Sequence, residues 1–119
     1  MNNLAMHFWD VGLFSKAESL LREYLTIHEE HQPDDWNTFK AQSLLGACLL
    51  SQKNYADAEP LLVAGYEGMR QRENSIPVVS RFHLTKGLER LVKLYDEWGK
   101  PDEADEWRKQ MVVREETDK

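Results

Sequence analysis

The residues with the most evident potential for chemistry are four histidines and a single cysteine. His28 and His31 stand three positions apart with two glutamates between them, so a helix would bring both imidazoles to one face. Such a pair could bind a divalent metal, but the zinc-protease motif His-Glu-x-x-His places its histidines four positions apart. This spacing among acids therefore favours a solvated surface, and no metal or other cofactor is predicted.

Cys48 is a second candidate, because a thiolate can act as a nucleophile. Its helical spacing with Leu45 and Leu49 places it on the packed side of a helix, where a small buried thiol is inert. His7 and His83 are isolated in the sequence, and there is neither a glycine-rich phosphate loop nor a recognisable Ser/His/Asp arrangement. An enzyme is not expected, and a small metal-dependent enzyme using the histidines is the remote alternative.

Composition narrows the possible partners. The 119 residues are 41% hydrophobic and 30% charged, which is ordinary for one folded domain. The net charge of -6 disfavours nucleic acids and anionic membrane surfaces as partners. No apolar run approaches the ~20 residues needed to span a bilayer, and no signal peptide opens the chain. A lone cysteine excludes an intramolecular disulfide, so a reducing, cytoplasmic setting is expected.

The elements that would position these residues are helices. Apolar residues recur at three- and four-residue steps throughout the chain, and no segment alternates as a strand would. A capping box at Ser15 and Glu18, and prolines at Pro33, Pro77 and Pro101, mark helix ends. Pro60 falls inside a helix and is expected to bend it only slightly. The predicted helices are 2–11, 14–31, 35–51, 55–73, 78–98 and 101–116.

A repeat organises these helices. Three similar stretches each place a turn-forming residue five positions before an alanine, with an acid directly after the alanine. The alanines are Ala17, Ala58 and Ala104, separated by 41 and 46 residues, and thirteen positions before them stand Leu4, Leu45 and Leu91. Self-similarity at such a period predicts a repeat architecture, in which each unit buries its apolar face against its neighbours.

The repeat resembles a known family. Leu45-Gly46-x-x-Leu49 followed by Ala58-x-x-x-Leu62 is similar to the tetratricopeptide pattern of Leu-Gly-x-x-Tyr and then Ala-x-x-x-Phe. The other copies are Leu4-Ala5-x-x-Phe8 with Ala17-x-x-x-Leu21, and Leu91-Val92-x-x-Tyr95 with Ala104. The period exceeds the usual length of about 34 residues. It is closer to the longer repeat of kinesin light chains and related bacterial signalling proteins.

The resemblance implies an all-α fold, an α-α superhelix of three helix-turn-helix repeats with six antiparallel helices. One domain would cover 1–119, with repeats at approximately 1–32, 34–74 and 77–117. Arg108 departs from the pattern, since an apolar residue belongs there, and Trp107 and Met111 are expected to supply the contact. Leu4 would fall in mid-helix, so a piece excised from a longer array is favoured over a shortened capping repeat.

The resemblance also implies a binding surface, because the first helix of each pair lines a concave groove in that family. Asn3 matches the asparagine that commonly hydrogen-bonds a peptide backbone there. The predicted groove residues are Asn3, Met6, Trp9, Lys40, Leu44, Ala47, Lys86, Arg90 and Lys93, with Leu50 and Ser51 toward the helix ends. An apolar first half and a basic second half would suit an extended peptide with an acidic or carboxylate end. For each cation, an ordinary solvated charge is the alternative.

The predicted function is a non-catalytic protein–protein interaction module, a scaffold or regulatory segment of a signalling protein. It would bind an extended peptide or partner protein in the groove. The alternative is self-association, with a homodimer formed through terminal helices. In that case the last helix would expose an apolar face at Trp107, Met111 and Val112.

Overall fold

The structure is a computed structural model that describes residues 14–117. It consists of five α-helices, with no strand among these residues, which confirms the all-α prediction for this part of the chain. Predicted helix 2–11 and the groove candidates Asn3, Met6 and Trp9 lie outside the described residues. The helices are α1 Phe14–His31, α2 Trp36–Ser51, α3 Tyr55–Gln71, α4 Phe82–Glu97 and α5 Pro101–Thr117.

The turns after α2 and α4 are built alike. Lys53 and Gly99, each five residues before a repeat alanine, adopt left-handed backbones with φ of 62° and 76°. The next amide in each turn reaches back five residues, from Asn54 to the Leu49 carbonyl at 2.9 Å and from Lys100 to the Tyr95 carbonyl at 2.8 Å. These bonds satisfy carbonyls that the helix end leaves open, so both helices end with the same type of cap.

The largest difference from the predicted boundaries lies between α3 and α4. The sequence predicts a helix from 78, whereas α4 begins at Phe82 after two short 3-10 helices, Glu73–Ser75 and Val78–Ser80. Pro77, with ψ of 142°, is extended, and the amides of Ser80 and Arg81 then bond three residues back. By contrast, α3 runs without interruption through Pro60.

Each helix packs against the next along the chain, and α2 also packs against α4. Ala17, Ala58 and Ala104 are fully buried, in agreement with their predicted role as small packing residues. Gly46 serves the same purpose, since a Cβ there would lie 2.7 Å from Leu62 Cγ on α3. None of the described helices has the length and hydropathy needed to cross a membrane.

In α5, other residues replace the apolar side chain that the repeat pattern lacks at Arg108, as the sequence predicts. Arg108 is exposed and forms ion pairs with Asp105 and Asp96. Trp107 and Met111 instead pack against the core, and the Trp107 indole meets the Tyr66 ring edge-on at 5.7 Å. The apolar end face expected for self-association is therefore reduced, because of its three predicted residues only Val112 is exposed.

Candidate functional site

The pairing of α2 with α4 brings two stripes of side chains together. On α4, His83, Lys86, Arg90 and Lys93 follow steps of three, four and three residues, which places them on one helix face. On α2, the matching stripe at steps of four and three is Trp36, Lys40, Ser43, Ala47 and Leu50. The stripes adjoin where Trp36 approaches His83, where Arg90 bonds to Ser43, and where Ala47 and Lys93 line one pocket. We call this surface the α2–α4 groove, and we assign Lys86 to it by helical spacing.

Leu44 does not belong to this surface. It is buried in a cluster with Ala17, Leu21 and Leu25 of α1. It follows Ser43 directly, and one residue turns a helix by about 100°, so its side chain points away from the groove stripe. The structure thus corrects the sequence-based assignment of Leu44 to the groove.

A small pocket of about 160 Å³ forms where the C-terminal half of α2 approaches α4. Its apolar base comes from Ala47 and Leu50, both buried. Charged side chains of α4 surround this base. The full lining is Ala47, Leu50, Ser51, Glu89, Arg90 and Lys93. Three predicted groove residues and both residues expected toward the helix ends therefore contribute to the lining.

Arg90 is held in place within this groove. Its Nη1 donates a hydrogen bond to Ser43 Oγ across the helix pair at 3.1 Å, and Ser43 is itself fully buried. Burial lowers the pKa of the Arg90 guanidinium, an effect opposed by the nearby Glu89 carboxylate. An ordinary solvated charge would show neither feature, so Arg90 is a positioned cation.

The other end of the groove is aromatic. Lys40 Nζ lies 5.2 Å from the centroid of the Trp36 ring, whose centroid is 6.1 Å from that of His83. The His83 ring in turn lies 4.1 Å from the Phe82 ring. Burial, with the charges of Lys40 and Arg90, lowers the pKa of His83 to about 4, and burial also lowers the pKa of Lys40. His83 is therefore a neutral imidazole at neutral pH.

His83 is isolated in the sequence, and Trp36 is not among the predicted groove residues. The sequence nevertheless contains a signal for His83, because this residue continues the three- and four-residue spacing of the α4 cations. Trp36 likewise precedes Lys40 by one helical turn. What the sequence does not specify is that the two helices meet here and enclose the imidazole.

The remaining lysines of the groove are more solvated. Lys86 lies 3.4 Å from Glu89 and Lys93 lies 3.8 Å from Glu97, each pair within one helical turn. Exposed pairs of this kind contribute at most about 1 kcal/mol. A carboxylate that approaches the groove can therefore compete with these glutamates for the ammonium groups.

The other candidates for chemistry have structural roles. His28 stacks on Tyr24 at 3.8 Å, with its Nδ1 3.0 Å from the Tyr24 carbonyl oxygen. Burial raises the pKa of the Cys48 thiol to about 11, so the thiolate is disfavoured at neutral pH. Within residues 14–117, no group of three or more His, Cys, Asp or Glu side chains is arranged to hold a metal ion.

A larger cavity, of about 420 Å³, lies between α3 and α5. Arg114 and Glu73 line it and form a bidentate ion pair, with Nη2 2.9 Å from Oε2 and Nη1 3.3 Å from Oε1. Lys109, also in its lining, pairs with Glu106 at 3.2 Å. Four of the five charged side chains in its lining are thus paired with each other.

No protein-family model matches this sequence, and no curated protein is similar enough to it to count as a relative. The likeness to tetratricopeptide repeats consequently depends on the repeat pattern of this chain alone.

Proposed function

We propose that this chain is a tetratricopeptide-like repeat module that binds an extended acidic segment of a partner protein in the α2–α4 groove, without catalysis. The observation that carries the proposal is the cationic stripe of α4, joined by Lys40 of α2. It occurs in a chain whose net charge is -6, so the groove differs in sign from the molecule as a whole. The partner would be recognised locally by its carboxylates.

The physical basis is a gradation along the groove. Arg90 is fixed by Ser43 and partly desolvated, so a carboxylate meeting it gains a charge-assisted hydrogen bond at little entropic cost. Lys86 and Lys93 are exposed, and they would attract acids at longer range, more weakly as salt rises. Arg90 would thus orient the ligand, and the lysines would raise the rate at which it associates.

A long-period repeat of the kinesin-light-chain type, with three units, is the architecture we propose for the whole array. Supporting it are the buried alanines at equivalent positions and the matching caps at Lys53 and Gly99. A role as a scaffold or regulatory segment of a signalling protein follows from that proposal.

The test uses a matched pair of charge reversals. A displayed library of random peptides is selected on the whole chain, and enriched peptides are measured against Lys93→Glu and Lys109→Glu. Both lysines are exposed and pair with a glutamate of their own helix, but Lys109 lies on α5, away from the groove. We expect acidic peptides whose affinity falls roughly tenfold with Lys93→Glu and not with Lys109→Glu. Equal effects, or enrichment of basic peptides, would contradict the proposal.

A further inference from the structure

The connection between α3 and α4, together with the first residue of α4, exposes three large apolar side chains. Val78, Val79 and Phe82 have exposed fractions of 75%, 84% and 55%. Val79 and Phe82 are three residues apart in a run of helical turns, so they lie on the same side of it. Single exposed apolar residues are common, but three within five positions form a patch that favours a partner.

The connection is held firmly in position. Ile76 is buried in the core beside it, and Arg81 Nε donates a hydrogen bond to the Ile76 carbonyl at 3.1 Å. The Ser80 amide bonds to the Pro77 carbonyl at 2.8 Å. The valines are therefore carried on a preformed turn, and a partner that buries them pays little to order the backbone.

The patch continues into the groove. Phe82 contacts the His83 ring, and His83 adjoins Trp36 at the aromatic end of the groove. Together these side chains extend the apolar surface from the groove onto the connection. A ligand in the groove that reaches past Lys40 would meet Phe82 and the two valines.

The chain segment that carries the patch has charges of one sign. From 74 to 88 the charged side chains are Arg81 and Lys86, and no acid occurs. On its flanks, Glu73 is bound by Arg114, and Asp34 pairs with Arg72 at 3.1 Å. Arg81 and Lys86 thus place positive charge in the same segment as the patch, while Asp35 lies near Lys40 at the adjoining end of the groove. The positive charge complements a partner that combines apolar and acidic residues.

We infer that Val78, Val79 and Phe82 form an apolar docking surface for the partner that the groove binds. This surface would receive aliphatic or aromatic side chains adjacent to the acidic segment. The inference depends on the proposed function and makes it more specific. The partner is then an acidic segment with an apolar anchor at one end, and not a uniformly charged one.

Two double variants test the inference. Val78→Ser with Val79→Ser removes the patch, while Val112→Ser with Val113→Ser removes a similar exposed pair, 53% and 61% exposed, from α5. Peptides selected from the displayed library are expected to contain Leu, Ile or Phe beside their acids. Their affinity should fall at least roughly tenfold with the first double variant and stay unchanged with the second. Replacing the apolar residues of a selected peptide by Ser should remove this difference.

The outcomes separate the inference from the proposed function. One outcome is a set of peptides that lose affinity with Lys93→Glu but bind the Val78/Val79 variant as tightly as the parent. That result would overturn the inference and still support the proposed function of the groove. A selection that enriches no peptide, or peptides indifferent to both sites, would overturn both. Sedimentation with phosphatidylserine vesicles is the last arm. Vesicle binding lost in the Val78/Val79 variant, with peptide binding unaffected, would assign the patch to a membrane and overturn the inference.

Discussion

At the scale of single residues, Lys53 is the most direct target for substitution because of its backbone conformation. Its φ of 62° is unfavourable for a side chain with a Cβ, whereas Gly99 occupies the equivalent turn. We expect Lys53→Gly to raise the free energy of unfolding by about 0.5–1 kcal/mol, measured by urea denaturation. Lys53→Ala is the control, because it removes the charge and keeps the strained backbone. Equal stabilisation by both variants would show that charge, not conformation, is responsible.

The imidazole of His83 makes stability depend on pH. Its pKa is lowered to about 4 in the folded protein, against an ordinary value of 6.5, so the unfolded chain binds more protons between these values. Stability from this residue is therefore present above about pH 6.5 and lost as pH falls toward 4. Because the ring is only half-buried, we expect a loss of order 1 kcal/mol after screening by solvent.

Urea midpoints measured between pH 7 and pH 4.5 check the role of His83. In His83→Gln the decline over this range should be visibly smaller, because Gln does not titrate. The carboxylates with lowered pKa values, Glu18 and Glu73, lose their contribution only as pH falls below about 4.5. An unchanged decline in the variant would assign the pH dependence to another group.

At the scale of elements, sequence patterns locate most helices and miss one connection. The starts of α3 at Tyr55 and of α5 at Pro101 agree with prediction, since turn residues and prolines are local signals. The connection between α3 and α4 does not, because the apolar Val78 and Val79 continue a helical pattern although they are exposed. Periodicity reports which residues are apolar, and it cannot report whether a neighbouring element covers them.

The groove residues likewise include some that can be assigned from the sequence and some that cannot. The cations at Lys86, Arg90 and Lys93 were predictable, because helical spacing alone places them on one face. Leu44 is wrongly assigned to the groove from the sequence, and His83 is not assigned to it, since their surroundings depend on how α1 and α4 pack against α2. Residues fixed by a single helix can thus be assigned from sequence, whereas those fixed by two helices require the structure.

The bond between Glu73 and Arg114 connects α5 to the start of the connection. Arg114 is largely buried, and its Nη1 and Nη2 both donate hydrogen bonds to the Glu73 carboxylate. These bonds lower the pKa of Glu73. We expect Glu73→Gln to cost about 1 kcal/mol, because it replaces a charge-assisted pair by a weaker one. Faster amide hydrogen exchange at 110–114 should accompany this loss. Glu106→Gln, which breaks an exposed pair with Lys109, is the control and should change neither measurement.

At the scale of the whole molecule, two apolar clusters hold the described helices together, and the smaller one joins α1 to α2. The larger cluster extends from Leu49 on α2 through Met69 and Leu88 to Ala104 on α5. Trp107 adds its indole to this cluster. The last helix therefore contributes side chains to the core. Its outer surface carries the charged residues Asp105, Glu106 and Lys109.

This arrangement predicts how α5 responds to substitution. Trp107→Ala should lower the free energy of unfolding by about 3 kcal/mol, because it opens a cavity between α3 and α5.

Val112→Lys with Val113→Lys should leave stability within about 0.5 kcal/mol of the parent, since both side chains are exposed. Sedimentation velocity at several concentrations should give the same distribution for the valine variant and the parent. A dimer of the parent that dissociated in the valine variant would instead favour self-association through α5, because lysines there would repel across the interface.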